Sequence, residues 1–278
     1  MSPAPPTRLA APGRVRTADA DRAEPGGLAP PPEPNPIDAP GTSDATWRAW
    51  LPLADLPELD ISSWTSAVIL AAHPDDEVLG AGGIISQLAA AGARLRVIAV
   101  TDGETAPDCA DAAALARRRA GERSAALQAL GAAGTEVLRL GLPDAGLTGR
   151  ATDVADRIAD LATGFDVCLA PWEHDVHGDH EAVGRAARQV SGRQASGRTF
   201  FYPVWMWHWA APADPRVPWH QAVRVPLPPA VVERKEAAIE CFASQLGEGE
   251  QGETPVLTEG FVAHFTRGCE VLVPVTGR

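Results

Sequence analysis

His73-Pro74-Asp75-Asp76-Glu77 packs four ionisable side chains into five residues directly after the apolar run 67–72. His73 and Asp76 are three apart, a spacing that lets a turn aim both at one point. Imidazole plus carboxylate is a normal donor pair for zinc and also suits ferrous iron. A second cluster, His174-Asp175-Val176-His177-Gly178-Asp179-His180, places three histidines and two aspartates in seven residues. One ligand from it completes a two-histidine, one-carboxylate site with open positions. Such a site lowers the pKa of a bound water to about 7 and polarises a carbonyl. A carboxylate of the first cluster that is not a ligand is then available as general base. Acidic residues also favour the start of a helix, but that explanation covers one or two carboxylates and not the histidine beside them.

The elements around these clusters alternate. Apolar runs of strand length lie at 67–72, 95–101, 136–142, 165–171 and 199–205. Helical patterns separate them at 79–92, 112–130, 153–162 and 180–189, and a helix over 229–246 and a strand over 260–266 close the series. Continuous apolar strands alternating with helices predict an α/β fold, a mostly parallel sheet with helices on both faces. Ligands of such sheets sit beyond the carboxyl ends of the strands. Both ionisable clusters, and the turns Thr101-Asp102-Gly103-Glu104 and Gly141-Leu142-Pro143-Asp144, follow strands in that sense. The glycines at 80, 82 and 83 come after the acidic cluster, out of register with a dinucleotide fingerprint, and are read as close helix-on-sheet packing.

Charge bounds the partners. Of 278 residues, 24 are Lys or Arg and 36 Asp or Glu, a net charge of −12. Nucleic acid and anionic membrane surfaces are disfavoured as partners, since both need concentrated basic residues. No apolar run is long enough to span a bilayer, and nothing reads as a secretion signal. Four dispersed cysteines, without a Cys-x-x-Cys pair, fit reduced thiols and a cytoplasmic setting. Residues 1–45 hold 11 of the 26 prolines and are expected to be a disordered tail, with one folded domain over 46–278. Oligomeric state is not legible.

Ala72-His73-Pro74-Asp75-Asp76-Glu77-Val78-Leu79-Gly80-Ala81-Gly82-Gly83, together with His177-Gly178-Asp179-His180, resembles the PIG-L (LmbE-like) family of metal-dependent N-acetylglucosamine de-N-acetylases. The likeness spans about 66–266 and takes in the 101–104 and 141–144 turns, the Arg119–Gly131 segment, and Lys235 with Ser244-Gln245. It implies a Rossmann-like domain that holds Zn²⁺, or Fe²⁺, on His73, Asp76 and His180. It implies Asp75 as general base to a metal-held water, and His177 as the group that stabilises the oxyanion or protonates the leaving amine. Asp179 either orients an imidazole or caps the next helix. Arg119, His174 and Asp175 are assigned to the substrate side, with His174 and Asp175 alternatively behind the ligands. The implied substrate is a small N-acetylated amino sugar or its glycoconjugate. A larger thiol- or glyco-conjugate amide, or sugar binding without catalysis, are the competing readings.

Five of the eight tryptophans lie between Trp172 and Trp219, and Trp205, Trp207 and Trp209 alternate as on one face of a strand end. Aromatic faces stack on sugar rings, so Trp205 and Trp207 join the candidate substrate residues. The alternative is packing beneath a long loop.

Overall fold

In a computed structural model, the structure describes Met1 and residues 35–105, 111–191, 197–247 and 255–276. Most of the expected tail, residues 2–34, lies outside the described residues. From Asn35 onward the chain is one compact unit. Thr42 already joins it, its amide donating to the His208 carbonyl at 2.8 Å and its hydroxyl to the Ala210 carbonyl at 2.6 Å.

In chain order the regular elements are helix α1 (Asp44–Ala49), β1 (Ser66–Ala71), α2 (Asp76–Ala90), β2 (Arg94–Thr101), α3 (Ala112–Ala129) and β3 (Glu136–Leu142). There follow α4 (Ala151–Ile158), β4 (Val167–Pro171), α5 (Gly178–Ser191), β5 (Arg198–Tyr202) and α6 (Met206–Trp209). The last are β6 (Val223–Pro226), α7 (Pro229–Glu240), α8 (Ala243–Leu246), α9 (Glu259–Val262) and β7 (Cys269–Pro274). The strands form one seven-stranded sheet in the order β3-β2-β1-β4-β5-β7-β6. The first five strands pair in parallel, while β7 runs antiparallel to both β5 and β6. This is the expected α/β architecture.

β1 is buried along its whole length, as befits a central strand covered on both faces. Strand order reverses between β1 and β4, which opens a crevice at their carboxyl ends. The two ionisable clusters follow these two strands and no others. Sheet topology therefore joins segments about 100 residues apart.

α2 is fixed hard against the sheet. A Cβ on Gly80 would lie 2.0 Å from the Tyr202 ring, so only glycine fits there. Deeper in the helix, buried Lys235 on α7 donates to the Leu79 carbonyl at 2.7 Å and to Glu270 on β7 at 2.6 Å. Glu270 in turn accepts from the amides of Gly83 and Ile84 at 2.7 and 2.8 Å. This ion pair ties α7 and β7 to the helix whose first turn enters the crevice.

The C-terminal third departs from the sequence reading. Residues 260–266 are not a strand: Thr258 caps α9, its hydroxyl accepting from the Phe261 amide, and a 3-10 turn over Ala263–Phe265 follows. The last strand is β7, where buried Glu270 interrupts the apolar run that would have marked it. The strand expected over 199–205 stops at Tyr202, the stretch after it contains β6, and the helix over 229–246 breaks at Cys241-Phe242.

Candidate active site

Each side of the crevice delivers its groups differently. After β1 the chain turns at once into α2, and Asp75 takes φ +124° to make the turn. That conformation is strained for a residue with a side chain. Asp75 is held by Arg119 on α3, whose Nη2 donates to Asp75 Oδ2 at 3.1 Å and to the Pro74 carbonyl at 2.8 Å. Arg119 Nη1 donates to the Gly103 carbonyl at 2.9 Å. Gly103 has φ +63°, and a Cβ there would lie 2.1 Å from that guanidinium, so the turn after β2 must be glycine for Arg119 to pass. Asp76, the first residue of α2, folds back so that Oδ2 accepts from the His73 amide at 2.8 Å.

After β4, Asp175 is fully buried and organises its surroundings. Its Oδ2 lies 2.7 Å from His180 Nδ1 and accepts from the Trp205 amide at 2.9 Å. Its Oδ1 accepts from the amides of Met206 and Val204 at 2.8 and 3.2 Å. One carboxylate therefore orients an imidazole and sets the turn after β5. The same bonds explain why Trp205–Trp209 leaves the sheet and curls into α6. Asp179 accepts from the amides of Ala145 and Leu147 at 2.8 and 2.9 Å and lies 3.3 Å from His73 Nε2.

The two sides meet at His73 and His180. His180 Nε2 is 3.3 Å from His73 Nδ1 and 3.2 Å from Asp76 Oδ1, and His73 Nδ1 is 3.6 Å from Asp76 Oδ2. Donors at the usual zinc distances around a tetrahedral ion stand about 3.3–3.6 Å apart. His73, Asp76 and His180 thus bring two imidazoles and a carboxylate to distances of this order, with one oxygen of Asp76 toward each ring. His73 also belongs to two other donor groups, one with His177 and His180 and one with Asp144 and Asp179.

Charge supports the same fit. Burial alone would lower the pKa of both imidazoles. Around His73, however, Asp144, Asp179 and Asp76 outweigh burial and hold it well above the ordinary value. Asp76 and Asp175 hold His180 up at about 9. Carboxylates outnumber cations here, and that surplus of negative charge suits a divalent ion. Asp76 is held well below the carboxylate range despite its burial, chiefly by His180. Burial, with Asp76 and Glu77 adding to it, raises Asp75 to about 7 against the pull of Arg119. His177 goes the other way: burial, then the charge on His180 and His73, pushes it down to about 3. Its Nδ1 is buried with no hydrogen-bond partner.

These groups floor a cleft of about 190 Å³ lined also by Thr105, Arg119, Asp144, Ala145, Trp205, Gln245, Leu257 and Phe261. Not every expected substrate residue faces it. Asp175 has no exposed surface and stands behind His180. His174 is two-thirds exposed and lies beside Glu173, outside the cleft lining. Trp207 packs instead against Trp47 and Trp219, under the Arg267 guanidinium. Trp205 and Arg119 line the cleft, although Arg119 spends both terminal nitrogens on Asp75 and the backbone. Residue reading missed Asp144, whose Oδ1 is 3.1 Å from His73 Nε2, and the apolar wall from 256 to 261. Asp144 had a signal in the strand-end turn after β3; the wall had none, since 256 and 257 carried no reading and Phe261 fell within the strand expected over 260–266.

Fold and site together define a Rossmann-like α/β protein with a candidate metal centre in its switch crevice. Residues 68–191, from β1 through α5, match the family PIG-L: GlcNAc-PI de-N-acetylase. Among solved structures, it is similar to the N,N'-diacetylchitobiose deacetylase from Pyrococcus horikoshii, at 20% identity and TM-score 0.53 over 67% of this chain and 72% of that one. The zinc-inhibited form of the teicoplanin deacetylase Orf2 is 20% identical, TM-score 0.55, over 76% and 97%. GalB, the 4-carboxy-2-hydroxymuconate hydratase from Pseudomonas putida KT2440, is 19% identical, TM-score 0.57, over 77% and 97%. At these identities the likeness is one of fold. No curated protein matches the sequence.

Proposed function

We propose that this protein is a metal-dependent hydrolase that removes the acetyl group from an N-acetylated amino sugar. The observation that carries the reading is the placement of Asp75 beside the His73–Asp76–His180 donor set, at the floor of the cleft. The PIG-L match supplies the reaction class. Zn²⁺ or Fe²⁺ bound to this set supplies a Lewis acid for the amide carbonyl and makes water a better nucleophile at neutral pH.

The protein's own groups do the rest. Arg119 fixes the Asp75 carboxylate, which takes a proton from water as the water oxygen bonds to the acetamide carbon. A base raised toward neutrality is matched to that transfer. Burial favours the neutral form of His177, and a neutral imidazole offers one N–H to the oxyanion as it forms. Asp75 then returns its proton to the sugar nitrogen as the C–N bond breaks, leaving acetic acid and the amine, which exchange the remaining proton to give acetate and ammonium, with Asp75 again ionised. Asp175 keeps His180 in one orientation throughout, the role a carboxylate plays behind a ligating imidazole.

Acetate release from N-acetylglucosamine and its glycosides, with metal analysis of the same preparation, tests the reading. The expected result is one ion per chain and acetate from at least one acetylated sugar. Metal-free protein that binds such sugars without releasing acetate would overturn it in favour of a binding module. The cytoplasmic setting and the absence of nucleic-acid partners belong to the same proposal. No helix among the described residues is long and apolar enough to cross a membrane.

A further inference from the structure

The cleft has two unlike walls. Part of its lining is ionisable, and another part consists of Val204, Trp205, Val256, Leu257 and Phe261. The rings of Trp205 and Phe261 lie 4.7 Å apart, tilted by 37°. On its other side Trp205 is nearly parallel to His177, 14° at 6.4 Å, so the aromatic wall starts next to the reacting groups. Val256 is 57% exposed, one of the few large apolar side chains among the described residues left in solvent, and it belongs to this lining.

The same cleft is poor in cations. Among the described lining residues Arg119 is the only Lys or Arg. Both its terminal nitrogens are committed to the Gly103 and Pro74 carbonyls and to Asp75, leaving only Nε unpartnered. Asp75, Asp76 and Asp144 face the same space. Beyond the ion assigned to the donor set, side-chain recognition of phosphate calls for a free guanidinium fork or ammonium, and this lining offers neither.

We infer that the substrate is an uncharged N-acetylated glycoside whose aglycone is apolar or aromatic, seated against Trp205, Leu257 and Phe261, and that phosphate-bearing sugars are discriminated against. This rests on the deacetylase reading and narrows its substrate. Val204, Leu257 and Phe261 are themselves buried, so an apolar aglycone gains chiefly by covering half-buried Trp205 and exposed Val256. A phosphate in its place loses its hydration and meets carboxylates.

The test uses the metal-loaded full chain and four probes: free N-acetylglucosamine, its phenyl β-glycoside, N-acetylglucosamine 1-phosphate and UDP-N-acetylglucosamine. Acetate release should give the phenyl glycoside a kcat/KM about tenfold above the free sugar, mostly through KM, with both phosphates about tenfold below it. Trp205→Ala and Phe261→Ala should each cut the phenyl-to-free ratio about fivefold. Calorimetric titration of phenyl β-glucosaminide, the amine product, into metal-free protein gives a readout independent of turnover, and Phe261→Ala should weaken it by a similar factor. Phosphorylated probes processed as well as the free sugar, or a ratio and product affinity unmoved by both variants, would overturn the inference alone. No acetate from any of the four probes would instead bring down the deacetylase reading, and this narrowing with it.

Discussion

In the crevice His180 is enclosed between Asp76 and Asp175, whereas His264, buried almost as deeply, lies 3.0 Å from the Arg267 guanidinium. His264 sits at a seam where Arg267 pairs with Asp44 of α1 at 2.7 Å and stacks over Trp207. Burial opposes the charged form of both rings. Carboxylates reverse that effect for His180 and keep it up at about 9. At the seam burial prevails, Arg267 reinforces it, and His264 is pushed down to about 4. Two buried histidines therefore serve opposite ends. The seam balances its own charges and only has to hold the chain together, while the crevice keeps a surplus of negative charge that suits a cation. An excess of buried carboxylate, not burial, separates the chemical region from the structural one.

The contrast can be broken from either side. Asp75→Asn keeps the donor set intact and removes the base, so turnover should fall about a thousandfold or more with metal content unchanged, as read by acetate release and metal analysis. An Asp75→Asn protein with full activity would dismantle the assignment. At the seam, Asp44→Ala leaves a buried guanidinium without its carboxylate. Urea unfolding should show a loss of about 3 kcal/mol, at the low end for a buried pair because Asp44 keeps some solvent contact, with no change in metal affinity. Asp175→Asn should weaken metal binding by about 10- to 100-fold, the usual cost of disturbing the group behind a ligand. If it leaves affinity unchanged, Asp175 serves only the 204–206 turn.

The smallest effect concerns acid. Because His264 binds a proton more readily unfolded than folded, the unfolded state gains protons between about pH 6.5 and 4. This group's contribution to stability is thus intact above the unfolded value and declines as pH falls through that window. His264→Gln should flatten that part of the pH–stability curve, and an unchanged slope would place the titration elsewhere.

The same contrast governs what was legible from sequence. The crevice announces itself because ionisable residues following apolar strands are costly unless used, and because His73 and Asp76 are close in sequence as well as in space. The alternation of strands and helices was readable for a related reason: β1 and β2 are nearly uninterrupted apolar runs. What failed lies where a polar residue is buried by a distant partner. Glu270 hides β7 from a pattern reader, since its partner Lys235 is 35 residues away. Trp205–Trp209 looks extended until Asp175, some 30 residues upstream, is seen to hold three of the amides there. Asp144 illustrates the middle case, a turn noted for its position whose contact with His73 only the β1–β2–β3 arrangement reveals.

The wall from Val256 to Phe261 is anchored separately from the reactive floor. Leu257 hangs from the Gln245 carbonyl and Phe261 from the Thr258 hydroxyl, while His73, Asp76 and His180 follow β1 or belong to α2 and α5. For a protein engineer this division is an opportunity. New side chains at exposed Val256 would reshape the rim of the cleft while β1, α2 and α5 stay as they are, whereas buried Leu257 and Phe261 also belong to the core and tolerate less change.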